Sequence, residues 1–247
     1  MTGITDSDWT SFLTNIKQAK NEISGGKPIW YRGHNNADYY LLPSLLRYKN
    51  GLEKEKYLFD SFRKFADRIL QRRDSEWETL FEMQHYAVPT RLLDWSETFG
   101  IALFFAAFYR QKSNDKDAAI YLLNPLKLNQ ASKRPKVYTI PREENEYSYS
   151  HIYWSIHSIP TAPVAIEPIF INSRMLAQRG MFTVHDNSID PIEDRFPEAI
   201  RKVVLPKSLI PAALEFLDIT NINEYSVFPD LGGIVDYLKN SSGLEYR

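Results

Sequence analysis

Residues 90–109 read TRLLDWSETFGIALFFAAFY, and the fold turns on how this stretch divides. In its first half Thr90, Arg91 and Asp94 are interleaved with leucines and Trp95. From Glu97 onward the residues are apolar on nearly every face of a helix. Such a helix has to be covered on all sides, so residues 97–109 predict the central helix of the domain. The apolar run within it, residues 101–109, is far too short to span a bilayer.

Upstream, residues 77–86 predict a helix that Val88-Pro89 breaks. Residues 52–72 predict another, with Leu58, Phe62, Phe65, Ala66 and Ile69 as its apolar stripe. Residues 34–43, rich in Asn and Tyr, read as irregular. Residues 28–33 (PIWYRG) read as a short buried strand ending at Gly33. At the start of the chain Asp6-Ser7-Asp8 offers capping chemistry, and Trp9, Phe12, Leu13 and Ile16 have helical spacing up to the stop at Ser24-Gly25-Gly26. Downstream, residues 118–123 (AAIYLL), 164–171, 180–185 and 200–205 read as strands, and 209–217 and 231–238 as helices. Residues 124–160 have no clear period and read as an irregular insertion. Helices come early and strands late, without regular alternation. This predicts an α+β fold: one domain, with a mixed or antiparallel sheet of five or six strands and flanking helices.

Lys plus Arg number 30 against 31 Asp plus Glu, a net charge of −1, so bulk charge makes no case for a dedicated nucleic-acid binder. There is no cysteine, which removes disulfides, zinc ribbons and thiol nucleophiles. No N-terminal stretch reads as a signal peptide, and a cytoplasmic home is expected. The five histidines form neither HxxxH nor HExxH, so no metal site is expected. P-loop, GxGxxG and G-x-S-x-G motifs are lacking. Aromatic residues reach 14%, which means a large packed core or a pocket that stacks planar ligands.

Three segments mix polar residues into apolar surroundings. In Trp30-Tyr31-Arg32-Gly33, an arginine at a strand end can aim a fixed cation into a cleft, and glycine permits close approach; alternatively Arg32 pairs with an acid such as Asp94. In residues 84–95 (QHYAVPTRLLDW), Arg91 and Asp94 form an internal strut or line a pocket, and His85 is a core histidine or a catalyst. In residues 174–183 (RMLAQRGMFT), Gln178 precedes a glycine-led strand and could bond a ligand hydroxyl or satisfy loop backbone. The run Glu53-Lys54-Glu55-Lys56 and residues 143–146 (EENE) read as solvated faces. Arg68, Arg72 and Arg73 read as a small basic patch on a helix surface.

Taken together, WYRG, LLPSLLR (41–47), the block QHYAVPTRLLDWSETFGIALFFAA, SRMLAQRGMFTV and YSVFPDLGGI resemble the FRG domain family over about residues 28–238. That family is defined by sequence and named for a Phe/Tyr-Arg-Gly motif, here Tyr31-Arg32-Gly33. Residues 1–27 would then be an N-terminal helix and 239–247 a tail.

The order of elements also resembles the arginine-serine-glutamate class of ADP-ribosyltransferases. Arg32 matches the strand arginine, residues 90–106 match the strand that feeds an Ala-x-x-Phe-Ala helix, and Gln178 stands where those enzymes place a glutamate. The resemblance implies an enzyme using NAD as substrate, with no covalently bound cofactor: a transferase or NAD glycohydrolase, and an effector in conflict between bacteria and phage. Breaking the nicotinamide–ribose bond makes an oxocarbenium-like centre that needs a cation for the pyrophosphate, an aromatic wall and a carboxylate. Arg32 would supply the first and Tyr31, Tyr86 or Trp95 the second. Gln178 is neutral, which leaves Asp94 or the Glu144/Glu146 pair for the third. Arg32, His85 and Gln178 are the catalytic candidates; Tyr31, Gly33, Tyr86, Thr90, Arg91, Asp94 and Trp95 are the substrate-binding ones. Expected partners are a nucleotide-like small molecule and a protein or nucleic-acid acceptor, with no membrane. Two alternatives stand beside the enzyme: a non-catalytic nucleotide- or peptide-binding module, and a metal-independent nucleic-acid-processing domain using Arg32, Arg91 and His85. The expectation common to all is that Arg32, His85, Arg91, Asp94 and Gln178 meet in one concavity.

Overall fold

The structure is a computed structural model that describes residues 6–70, 75–108, 115–140, 148–155 and 160–243. Arg72, Arg73, Glu144, Glu146 and the side chain of Arg68 lie outside the described residues. In chain order the helices are α1 (Asp6–Ser24), α2 (Gly51–Leu70), α3 (Glu76–His85), α4 (Phe99–Ala107), α5 (Pro125–Ala131), α6 (Tyr149–Tyr153), α7 (Ser173–Gln178), α8 (Ile192–Arg195), α9 (Ile210–Ile219), α10 (Glu224–Val227) and α11 (Leu231–Ser241). The strands are β1 (Trp30–His34), β2 (Leu92–Ser96), β3 (Ala118–Leu123), β4 (Tyr138–Ile140), β5 (Val164–Pro168), β6 (Gly180–Val184) and β7 (Ile200–Leu205). They form one seven-stranded sheet in the order β4-β5-β6-β2-β1-β3-β7. Every neighbouring pair is antiparallel except β4 with β5. The fold is therefore α+β with a mixed sheet. It exceeds the expected strand number because residues 124–160 hold α5, β4 and α6 rather than an irregular excursion. Three-residue β4 and five-residue α6 are too short to show a period.

Side chains alternate across a strand, so each face of the sheet has its own set. One face carries two separate cores. Tyr31, Ile120 and Leu122 pack with α1, α4 and α9, burying Phe12, Leu103, Phe104 and Leu217. Leu92, Ile166, Phe182 and Val184 pack with α2, α3 and α6, burying Phe59, Leu80, Phe81 and Tyr149. The opposite face carries one core, with Trp30, Leu93, Trp95, Tyr121 and Met181 under Leu41, Leu128 and Ile192. As its composition requires, α4 is buried along almost its whole length, with Leu103, Phe104 and Ala106 fully covered.

Local signals set several boundaries. A reciprocal capping box between Ser75 and Glu78 starts α3. Asn124 caps α5 with Pro125 in its first turn. The α2 stripe differs from expectation: Leu58 and Phe62 pack on the core, but Phe65 and Ile69 are 71% and 78% exposed. The buried face instead includes Phe59 and Glu55, so Glu55 does not belong to a solvated run.

Candidate functional site in the gap between two strands

β1 pairs with β3 through all five residues, and β2 pairs with β6 through all five. Between β1 and β2 only Tyr31 and Ser96 are in register, and beyond that pair the strands part. By alternation Arg32 lies on the Trp30 face, while Gly33 and Asp94 lie on the two-core face. Its guanidinium nevertheless bridges the gap. Nη1 donates to the Asp94 carbonyl at 2.6 Å and stands 3.5 Å from Asp94 Oδ2. A side chain, not a main-chain amide, thus reaches that strand carbonyl. On its other side the Arg32 Nε–H donates to His34 Nε2 at 3.0 Å.

The Asp94 carboxylate is held a second time. Gln84 Nε2 donates to Oδ2 at 2.7 Å, and Thr90 Oγ1 donates to Gln84 Oε1 at 2.5 Å. The Thr90 hydroxyl in turn accepts from the Leu92 amide at 3.0 Å. Burial holds the Arg32 pKa below its ordinary value, against the pull of Asp94, and Arg47 adds to the lowering. The Asp94 side chain keeps 52% of its surface exposed and that of Arg32 21%.

A cavity of ≈ 190 Å³ opens here, between the two cores of that face. Of the expected residues, Tyr31, Arg32, Gly33, Asp94, Trp95 and Gln178 line it. Gln84, Ser96, Ile101, Ala102, Phe105 and Arg174 complete the wall. A shallower groove of ≈ 410 Å³ shares Phe105 and Arg174 with the cavity and runs past Phe228, Asp230 and Gly233. Arg174 sits over the Phe228 ring, 4.6 Å from its centroid.

The structure revises several roles. A Cβ on Gly33 would stand 1.8 Å from the Ala102 carbonyl, so this glycine admits α4 against β1 at the edge of the cavity. The Trp95 ring packs in the opposite-face core, its indole N–H donating to Thr183 Oγ1 at 3.1 Å, and the residue also borders the cavity. Tyr31, Trp95 and Phe105 are the aromatic residues beside the cavity. The Gln178 side-chain Nε2 donates to the Val227 carbonyl at 3.1 Å, and the Gln178 main-chain carbonyl accepts from Ser96 Oγ at 2.7 Å.

Four expected residues lie outside the cavity wall. Thr90 is buried and acts through Gln84. Tyr86 is 61% exposed and stacks edge-on with His85, centroids 4.7 Å apart. Burial, then Arg174, keeps His85 below the usual histidine pKa, with Glu82 and Asp230 opposing. Arg91 does not pair with Asp94. It forms a buried double hydrogen bond with Glu55, at 2.6 and 2.7 Å, and its third nitrogen reaches Asn187 at 2.7 Å. Glu55 also accepts from Tyr149 and Trp154. Three of the five groups expected to converge do so: Arg32, Asp94 and Gln178.

Gln84 and Arg174 lay inside motif segments but carried no separate signal, since only the fold decides which member of QHY faces the gap. Among the described residues there is no group of three or more His, Asp or Glu that could hold a metal ion, and no helix long and apolar enough to cross a membrane. The arrangement offers guanidinium donors, a solvent-reaching carboxylate and two aromatic rings around one hollow. Among known proteins, residues 27–116 match the family model described as the FRG domain. That match contains Tyr31-Arg32-Gly33, the QHYAVPTRLLDW block and α4, and stops short of Arg174 and Gln178. No curated protein matches, and no solved structure does.

Proposed function

Because residues 27–116 carry an FRG domain, whose signature residues Arg32 and Asp94 stand together on the cavity wall, we propose that this cavity binds NAD and cleaves its nicotinamide–ribose bond. The observation that carries the reading is the pairing of a partly exposed carboxylate with a gap-spanning guanidinium in one hollow. Arg32 meets the pyrophosphate, a role that suits a fixed planar donor set. Asp94, not Gln178, supplies the carboxylate that steadies the developing positive charge on the ribose. Phe105 and Tyr31 border the nicotinamide. The Gln178 Nε2 is engaged by Val227, so its Oε1 is the atom that would accept from a ribose hydroxyl. The C–N bond breaks with its electron pair leaving on nicotinamide; water or an acceptor nucleophile adds at the ribose carbon and loses a proton. The remainder of so long a ligand would lie along the groove that shares Phe105 and Arg174. On this reading the protein works in the cytoplasm as an effector in conflict between bacteria and phage, with a protein or nucleic acid as acceptor.

One observation favours a second reading, a nucleotide-binding module without catalysis: Asp94 is already held by Gln84 and Arg32, which lowers its readiness to serve a sugar cation. Nothing comparable favours nucleic-acid processing, since His85 packs on Tyr86 away from the wall. Purified protein is incubated with NAD while nicotinamide release and label transfer are followed. Release that disappears in Arg32→Ala and in Asp94→Asn, with circular dichroism unchanged, supports the enzyme. A ligand-dependent rise in melting temperature without release supports the module. Neither release nor a melting shift with NAD or ADP-ribose ends both readings.

A further inference from the structure

Arg32 enters the cavity from the far face of the sheet, and the group that aims it lies on that face. Two residues along the same strand, His34 shares the Arg32 face. The Arg32 Nε–H donates to His34 Nε2 at 3.0 Å. A guanidinium has donors and no acceptor, so Nε2 must carry the lone pair and the ring hydrogen must sit on Nδ1. Nδ1 faces the Tyr39 carbonyl at 3.4 Å, which can only accept. The same carbonyl accepts from the Tyr121 hydroxyl at 3.0 Å, and the Tyr121 ring meets the imidazole edge-on at 5.2 Å. The Arg32 contact requires this neutral tautomer, and the Tyr39 contact fits it.

The surroundings oppose a charge on the ring. His34 is buried, and burial is the largest influence; Arg32 on its own strand, Arg47 and Lys202 of β7 add repulsion, while the Tyr39 carbonyl alone pulls the other way. The result is a pKa of about 3. With Nε taken by His34 and Nη1 by Asp94, Nη2 has no hydrogen-bond partner among the described residues.

We infer that His34 is a positioning residue of the site: as the Nδ1–H tautomer it accepts from Arg32 Nε and fixes the guanidinium across the gap, with Nη2 presented to an anionic ligand. The ligand rests on the nucleotide reading of the cavity; the tautomer and the Arg32 contact do not. The imidazole therefore acts through a lone pair, never as a proton donor to substrate.

Two measurements separate these claims. Nitrogen NMR of the free protein reads the ring and the Arg32 Nε–H directly. The expected spectrum has Nδ1 protonated and Nε2 bare, no titration between about pH 5 and 8, and a slowly exchanging Arg32 Nε–H. A ring protonated on Nε2, or one titrating near the ordinary value, overturns the proposal. ADP-ribose affinity is then compared in His34→Leu, which removes the acceptor, and His34→Gln, whose amide oxygen can replace it. His34→Leu should weaken binding about tenfold or more and release the Nε–H to fast exchange, while His34→Gln stays within about threefold. Equal affinity in His34→Leu, or equal loss in both variants with dichroism unchanged, overturns it. If the unaltered protein binds no ADP-ribose, the nucleotide reading falls, and the nitrogen spectrum alone decides the role of His34.

Discussion

Glu55→Leu is expected to be among the most damaging single changes in this protein, although it lies outside the cavity. The substitution leaves Arg91, 3% exposed, without the two charge-assisted hydrogen bonds at 2.6 and 2.7 Å. What remains for the guanidinium is Asn187 at 2.7 Å, a long contact to the His185 carbonyl and the Tyr153 ring, 5.2 Å away at its centroid. Burial disfavours the Arg91 charge, and the hydrogen bonds and charge of Glu55 outweigh that and raise its pKa. Removing the acid therefore strands a desolvated cation, which costs about 3–5 kcal/mol. In a chain of this size that lowers the melting temperature by about 6–20 °C. Replacing both partners, Glu55→Leu with Arg91→Met, removes the stranded charge. It still deprives the Tyr149 hydroxyl and the Trp154 indole of their acceptor, so it recovers part of the loss, about 2 kcal/mol. Urea titrations of the parent and the two variants, followed by circular dichroism, measure both numbers. A single-variant cost below about 1 kcal/mol, or a double variant less stable than Glu55→Leu, would refute the reasoning.

Gly33→Ala is expected to cost about 3 kcal/mol or more, because the nearest atom to the new methyl is the Ala102 main-chain carbonyl at 1.8 Å, which α4 cannot move aside; a melting temperature within error of the parent would contradict this. Acid should destabilise the fold through two buried histidines. Burial holds both His34 and His185 at a pKa of about 3, against an unfolded value near 6.5. Between those limits the unfolded chain binds protons that the native one refuses, so stability falls as pH drops through that window, by about 1.4 kcal/mol per pH unit for each histidine. Urea midpoints at several pH values should show a shallower dependence in the His34→Gln, His185→Gln double variant; an unchanged slope would remove the assignment.

Much of the secondary structure was legible because burial was extreme. The strand 118–123 is apolar throughout and entirely buried, and its ends match expectation. The apolar helix after Trp95 was readable for the same reason. The site was legible in part. Arg91 and Asp94 stand three residues apart, and once the stretch is seen as a strand its period of two sends them to opposite faces. Reading the segment without that period kept them together, as one strut or as two residues of one pocket. Glu55 looked like its charged neighbours, and only the packing of α2 on α6 distinguishes it. Gly33 was seen as a point of close approach, and the main chain of α4 is what approaches it.

The sheet consists of two blades, β4-β5-β6-β2 and β1-β3-β7, that meet at a single rung before forking. Arg32 is the wedge in that fork, since its Nη1 answers the Asp94 carbonyl. A residue with no side-chain donor there would leave the Asp94 carbonyl without that partner and the gap unspanned. Aperture and grip thus belong to the same three nitrogens, and neither can be retuned without the other.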